Sequence, residues 1–372
     1  MKQYDLKPVK DATKDFDKCT YDSITYCYFN GARELESVTT EKLSSLERTD
    51  ALKFFQILKE SLKGSLHKTV FASGFSAEKQ EDGEAKSILK SLSETGVSEG
   101  TVLKLCGKVM EAITFENSTN YLLTVVRNTI DLKPKTSDRQ VIDDASEVSY
   151  SYVLVSLCPA HITESGLSYQ KESGVFRSRN CDWVAEMPLV SMLYPAPDGD
   201  GADMSRVVVF ARNKKEDAAE DFILKFCGKE APVSKDRGFE QLKTVVEAFV
   251  DPAERPEAVE VFDTKLQEFK EEHKDDDSEP VITKEVMKEL VLASVAPEDL
   301  PEEKEIEEKI REVAAVDVPL YAVKSLMKEY RKVSVNVKAE DAAIIKREII
   351  DGEDVLIIPV SAGIKVNNEP VT

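Results

Sequence analysis

The chain has 372 residues and a formal net charge of −20, with 41% apolar and 32% charged residues. The apolar share supports packed cores and excludes wholesale disorder, and the length makes room for two or three domains at roughly 100–200 residues each. The charge excludes tight non-specific binding of nucleic acid by the chain as a whole, because neutralising phosphates takes clustered Lys and Arg; it does not exclude a local basic face.

That charge is uneven. Asp251–Glu312 holds 22 acidic residues against 9 basic ones, a net −13, which leaves −7 for the rest of the chain. The N-terminus, Met1-Lys2-Gln3-Tyr4-Asp5, lacks the apolar stretch of a secretory signal. No apolar run reaches the roughly 18 residues that a membrane-spanning helix needs. Six scattered cysteines (Cys19, Cys27, Cys106, Cys158, Cys181, Cys227) form no Cys-x-x-Cys and read as reduced thiols. The expected compartment is the cytoplasm, away from the membrane.

In chain order, Asp22–Glu36 alternates on either side of Asn30-Gly31 and predicts a hairpin, with strands at Ser23–Phe29 and Arg33–Ser37 and a type I′ turn between them. Thr49 is placed to cap a helix whose apolar positions Leu52, Phe55, Leu58 and Leu62 share a face, with Gly64 as its stop. Ser65–Phe75 is ambiguous. Glu84–Leu92 and Ser98–Thr114 read as helices, the second capped by Ser98. Tyr121–Leu132 reads as a strand, followed by a polar connection over Lys133–Ala145. Four more strand-like runs follow: Tyr150–Pro159, Leu167–Arg177 around Gly174, Trp183–Tyr194 and Ser205–Arg212. Pro188 inside the third predicts a bulge or an edge. Beyond Lys214 the pattern is helical: Lys215–Cys227, Ser234–Val250, Pro256–His273, Thr283–Ser294, Glu302–Ala314 and Pro319–Tyr330, with a solvated stretch at Glu271–Pro280. The tail changes period again, with strand-like runs at Val333–Val337, Val355–Val360 and Ile364–Val366 and an ambiguous Glu340–Glu348.

These elements predict an α+β fold: an antiparallel central sheet of about five strands with flanking helices on one side. An acidic helical region and a small β tail follow it. The corresponding divisions are 1–230, 231–332 and 333–372.

Chemistry-bearing motifs are few. Cys158 and His161 are close enough in sequence to suggest a nucleophile and base, or metal ligands together with Cys181, but the spacing fits no zinc pattern and a polar loop is the better reading. Asp198-Gly-Asp-Gly-Ala-Asp203 evokes a calcium loop, yet Ala202 and Val209 stand where ligands are needed. Gly107-Lys108 lacks the rest of a phosphate-binding loop. No cofactor motif is present and no catalytic residue is assigned. Two basic groups remain as candidate anion or nucleic-acid contacts: Arg212, Lys214 and Lys215 at a strand-to-helix handover, and Arg331, Lys332 and Lys338 around the first tail strand. The acidic helices over Pro256–Glu312 offer a surface for a protein partner.

Several short runs carry a resemblance: Cys27-Tyr-Phe-Asn-Gly31, Gly64-Ser-Leu-His-Lys68, Lys135-Thr-Ser-Asp138, Ser156-Leu-Cys-Pro159, Gly166-Leu-Ser-Tyr169 and Asp182-Trp-Val-Ala-Glu-Met-Pro188. In order and together they resemble a bacterial family catalogued as a domain of unknown function (family 4317), which has Gly where this chain has His67. The resemblance brings no established activity. From Val207 onward the order of elements is similar to that of bacterial nucleoid-associated proteins of the NdpA type: a strand, a helix ending in Phe226-Cys-Gly228, acidic helices and a short β tail. Those relatives are also acidic, and no residue role carries over. The resulting expectation is a non-enzymatic cytoplasmic protein binding nucleic acid or a nucleic-acid-handling partner. The alternative is a protein–protein adaptor working through the acidic helices.

Overall fold

The computed structural model describes residues 3–76, 85–114, 120–132, 148–178, 181–199, 201–212, 216–250, 256–273, 280–295 and 303–330, and in the tail 335–336, 346–350, 353–357, 365–366 and 369–370. The fold is α+β and divides into two compact units, Met1–Lys235 and Asp236–Thr372. The predicted connection Lys133–Ala145 lies outside the described residues.

In the first unit, helix α1 (Lys7–Ala12) precedes strands β1 (Ser23–Phe29) and β2 (Leu35–Lys42), helix α2 (Arg48–Ser61) and strand β3 (Val70–Gly74). Helices α3 (Ala85–Glu94) and α4 (Glu99–Ala112) lead to the long strands β4 (Asn120–Leu132) and β5 (Val148–Ile162). Next come β6 (Leu167–Gln170), β7 (Val175–Ser178), β8 (Trp183–Ala185), β9 (Val190–Tyr194), β10 (Ala196–Asp198), β11 (Gly201–Asp203), β12 (Arg206–Ala211) and helix α5 (Glu216–Cys227).

Among the described residues, eight strands form one antiparallel sheet in the order β2-β1-β4-β5-β9-β12-β3, with β8 paired to the far end of β5. The sheet is therefore larger than expected from the sequence. The ambiguous Ser65–Phe75 segment supplies an edge strand, and β6 and β7 pair only with each other.

Side chains alternate across the pleat, and both faces are apolar. Leu123, Val125, Val153, Val155, Leu157 and Met192 pack with α3, α4 and α5. Their neighbours Val126, Tyr152, Leu154, Leu193 and Val208 pack on the other face with Leu6, Val9, Leu58 of α2 and Leu62 just after it. Helices thus cover both faces, whereas one covered face was expected. The near-continuous apolar runs of β5 and β12 are what two buried faces require.

Local departures have local causes. The Asn30-Gly31 turn is not type I′. The Asn30 side chain accepts from the amides of Ala32 and Glu34, both at 3.0 Å, and so widens the loop, while Arg33 takes the left-handed conformation at φ 65°. Arg33 then donates to the carbonyls of Ile113 (3.0 Å) and Met110 (3.3 Å) at the end of α4, where a cation complements the helix dipole. Helix α2 begins at Arg48 without a side-chain cap, so Thr49 is not its cap. Leu52 is exposed, and the buried stripe runs through Ala51, Phe55 and Leu58. Ser98 does cap α4, accepting from the Thr101 amide at 3.4 Å. Pro188 lies in a break between β8 and β9. Glu186 N donates to Pro159 O at 2.7 Å and Leu189 N to Leu157 O at 2.8 Å. Met187 and Pro188 therefore bulge opposite Cys158.

The second unit contains helices α6 (Lys235–Phe249, whose first residue closes the first unit), α7 (Pro256–Glu272), α8 (Lys284–Ser294), α9 (Glu303–Val313) and α10 (Leu326–Tyr330) around a core that includes Leu242, Phe262, Leu266, Met287, Ile306 and Leu326. Strands β13 (Val281–Ile282) and β14 (Val318–Pro319) pair, so the predicted helix over Pro319–Tyr330 shrinks to its last five residues. Buried Asp263 fixes that start, accepting from Ser325 Oγ (2.7 Å) and from the amides of Leu326 (3.1 Å) and Met327 (3.3 Å). Among the described residues, the tail strands β15 (Val335–Asn336), β16 (Lys346–Ile350), β17 (Glu353–Ile357), β18 (Lys365–Val366) and β19 (Glu369–Pro370) pair only with one another, in two small sheets of their own.

One backbone constraint is directly testable. Gly64, at φ 139°, leaves α2 so close to β3 that a Cβ there would stand 2.6 Å from Thr69 Oγ1 and 2.7 Å from Val70 Cγ2. Gly64→Ala is expected to lower the unfolding free energy by about 2–4 kcal/mol, from overpacking together with backbone strain, as read by urea denaturation.

Candidate functional site

The Met187-Pro188 bulge opens a cavity of about 210 Å³ in the first unit, on the α2 side of the sheet. Its lining includes Ser61, Thr69 and Ser191, and a row of hydroxyls crosses the otherwise apolar face of the sheet to reach Ser191. Thr124, Ser156 and Ser191 stand in register across β4, β5 and β9, and paired residues of an antiparallel ladder point to the same face. Ser61, from the last turn of α2, bonds Ser156 hydroxyl to hydroxyl at 2.6 Å and donates to Ile57 O at 2.7 Å. Ser191 lines the cavity, is 2% exposed, and its hydroxyl bonds to no described residue. The Thr124 hydroxyl, fully buried, also lacks a partner among the described residues. The Ser191 hydroxyl lines the cavity, so a polar group entering there meets a side chain that can both donate and accept.

The rim carries the charge. Arg212 follows β12; its amide donates to Leu189 O (2.9 Å) and its Nη1 to Met187 O (3.2 Å), which ties the guanidinium to the bulge. No described carboxylate pairs with it. Lys63 stands on the same rim, 2.5 Å from Glu60, so Glu60 is neutralised where it meets the cavity. A guanidinium fork above free and exchangeable hydroxyls is a donor set for a small anion such as a phosphate or carboxylate group.

Of the six basic candidates, only Arg212 is described. Lys214, Lys215, Arg331, Lys332 and Lys338 lie outside the described residues. Lys63, Ser61 and Ser191 escaped the sequence reading. A serine inside an apolar strand was the available signal, but the bond from Ser156 to Ser61 spans 95 residues of chain.

The other sequence candidates dissolve into structure. Cys158 and His161 sit on opposite faces of β5, because the β4–β5 ladder runs without a register shift from Asn120↔Ala160 to Leu132↔Val148. Cys158 is fully buried and its thiol is pushed up to about 12 by burial, with Arg212 pulling only partly the other way. His161 Nδ1 is 3.3 Å from Glu186 in an exposed pair. Asp203 holds Ser205 and Arg206 at the base of a small hairpin. Among the described residues, no group of three or more His, Cys, Asp or Glu is placed to hold a metal ion. No described helix is long and apolar enough to cross a membrane.

The fold and the cavity together describe a two-unit α+β protein with a basic-rimmed, hydroxyl-lined pocket. The chain matches the family described as Domain of unknown function (DUF4317) over residues 1–368, and it belongs to that family. A comparison with curated proteins finds no match, and the family match lends no support to the expected NdpA-type relationship. His67 sits at φ 61°, in the left-handed region where glycine is favoured.

Burial of these groups sets two expectations. Iodoacetamide should modify exposed Cys181 in the native protein and spare buried Cys158 until unfolding, as peptide mass spectrometry would show; rapid native modification of Cys158 would restore a chemical role for it. Burial, and secondarily Lys235, push the His67 imidazole down to about 4. Falling pH therefore protonates the unfolded chain first, from its ordinary value of about 6.5. Stability from this group is complete above that value and is lost as pH falls through the window down to about 4. His67→Asn, which tolerates positive φ, should flatten the fall of the urea midpoint between neutral and mildly acid pH.

Proposed function

We propose that the protein is a binding protein that engages nucleic acid, or a partner that handles nucleic acid, by seating an anionic phosphate at the Arg212 pocket. The observation that carries this reading is the cavity itself: a guanidinium fixed to a bulge, a lysine on the same rim, and the Ser191 and Ser61 hydroxyls in the lining. The net charge of −20 limits the contact to a local one, so affinity rests on few phosphates and the salt dependence is shallow. The order of elements from Val207 onward supports the same reading.

The adaptor reading, with a protein partner on the acidic helices of 256–312, has less support. Along α9 the exposed Glu303, Glu305, Glu308 and Glu312 are interleaved with Lys304, Lys309 and Arg311, and Lys288 of α8 pairs with Glu303 and Glu307. A mixed surface of this kind is an ordinary solvated face.

The test is fluorescence anisotropy with labelled single-stranded DNA, duplex DNA and RNA at two salt concentrations, with inorganic phosphate as competitor. Binding that weakens with salt is expected. Arg212→Ala should weaken it and reduce the logarithmic salt slope by about one, and Ser191→Val should weaken it at an unchanged slope. No binding of any of the three at low salt would overturn the reading.

A further inference from the structure

At Ala160 strand β5 lies between Asn120 of β4 and Ala185 of β8, and beyond it only β8 stands beside it, through His161↔Val184 and Ile162↔Trp183. The two strands are then joined by the Thr163 and Asp182 bonds, Thr163 N to Asp182 O at 2.9 Å and Asp182 N to Thr163 Oγ1 at 3.1 Å. The ribbon continues into β6–β7, whose register is Leu167↔Ser178, Ser168↔Arg177, Tyr169↔Phe176 and Gln170↔Val175. Alternation puts Leu167, Tyr169 and Phe176 on one face. The Tyr169 and Phe176 rings are 5.3 Å apart. No described residue covers that face: Leu167 is 73% exposed, Phe176 66% and Tyr169 55%, and at the arm's base Ile162 and Trp183 are 53% and 48% exposed.

The three side chains of that face present about 400 Å² of surface, taking roughly 200 Å² for each. A specific interface takes about 800 Å² from each partner, so this face supplies about half of one side of an interface, and exposed Ile162 and Trp183 at the base of the arm extend the apolar surface. Its charge decides what the other side is. His161–Glu186 carries three basic and four acidic residues in a chain of net charge −20. It has no cationic excess for a phosphate backbone and no strong field for an oppositely charged protein. It is instead a nearly neutral, apolar surface on which two strongly acidic molecules can approach. A face of one ribbon laid on the same face of another is self-complementary, as a two-fold axis requires.

We propose that a second copy of this chain covers the arm, with the Leu167, Tyr169 and Phe176 faces of two arms packed on each other in a symmetric dimer. The contact is independent of the Arg212 pocket.

The test uses the full chain. Sedimentation over a concentration series should show a reversible twofold rise in mass. That rise should strengthen with added salt, because screening removes repulsion between like-charged copies. Trp183, the sole tryptophan, should shift its emission to the blue as the dimer forms. A fluorophore on Cys181, in a Cys19→Ser background, should lose anisotropy through energy transfer between like probes. Phe176→Ser and Tyr169→Ser, at exposed positions, should remain monomeric with unchanged circular dichroism. A monomer at every concentration would overturn the proposal. So would a dimer indifferent to both substitutions, or an arm that binds only a different protein while the wild type stays monomeric.

Discussion

The ladder between β4 and β5 is the constraint on which the first unit depends. It runs for thirteen rungs, from Asn120↔Ala160 to Leu132↔Val148, without a break. β1 pairs on one side of it and β9 on the other, so every other strand of the sheet takes its register from this pair. A slip of one residue would exchange the two faces of β5. Because both faces are buried, apolar burial alone would tolerate that exchange, and polar groups must forbid it. Tyr152 OH bonds Tyr21 OH at 3.0 Å and accepts from Asn128 Nδ2 at 3.2 Å, and Thr20 Oγ1 donates to Asn128 Oδ1 at 2.9 Å. Tyr150 OH donates to Pro195 O at 2.5 Å. Each bond exists in one register only, so this network supplies the specificity that an apolar core lacks.

The same ladder makes the pocket. β9 must leave β5 before the ladder ends, since β8 occupies the last rungs, and the chain between them is two residues too long to follow the pleat. Met187 and Pro188 absorb the excess. Proline suits the position because a bulge leaves its nitrogen without a ladder partner. The bulge leaves Ser191, the β9 end of the hydroxyl row, lining the cavity, and the Met187 carbonyl gives Arg212 a fixed anchor. A polar row in a buried sheet and a cation above it are consequences of one local insertion.

How much of this was legible depends on whether the signal was local. Ser98, Gly228 at φ 66° and the alternation of β1 are local, and the sequence named them at their positions. The Asn30 loop misled because Asn-Gly is read for its backbone preference, while here the side chain of Asn30 does the turning. Thr49 misled because a capping residue type is common inside the first turn. Pro319–Tyr330 kept a helical pattern, but pairing of Val318 with Ile282 outweighed it. At the site, Arg212 and the Pro188 bulge were readable. Their meeting was not, nor was the part played by Ser61, Ser191 and Lys63, because each depends on which strands become neighbours.

Elsewhere in the first unit the usual rules of burial hold. Buried hydroxyls such as Ser61, Ser156 and Tyr152 are bonded, and most large apolar side chains are covered, with single exceptions such as Leu52 and Leu224. Thr124, whose buried hydroxyl has no partner among the described residues, departs from the first rule, and the arm of Leu167, Tyr169 and Phe176, with the most exposed large apolar side chains, departs furthest from the second. Neither departure is forced by the fold. Valine at 124 would satisfy β4, and polar residues at 169 and 176 would satisfy a solvated ribbon. Local rules broken without structural need are where a chain's function is to be sought. Both features follow from the course of β5: its bulged pairing with β9 shapes the cavity, and its extension beyond β4 carries the arm.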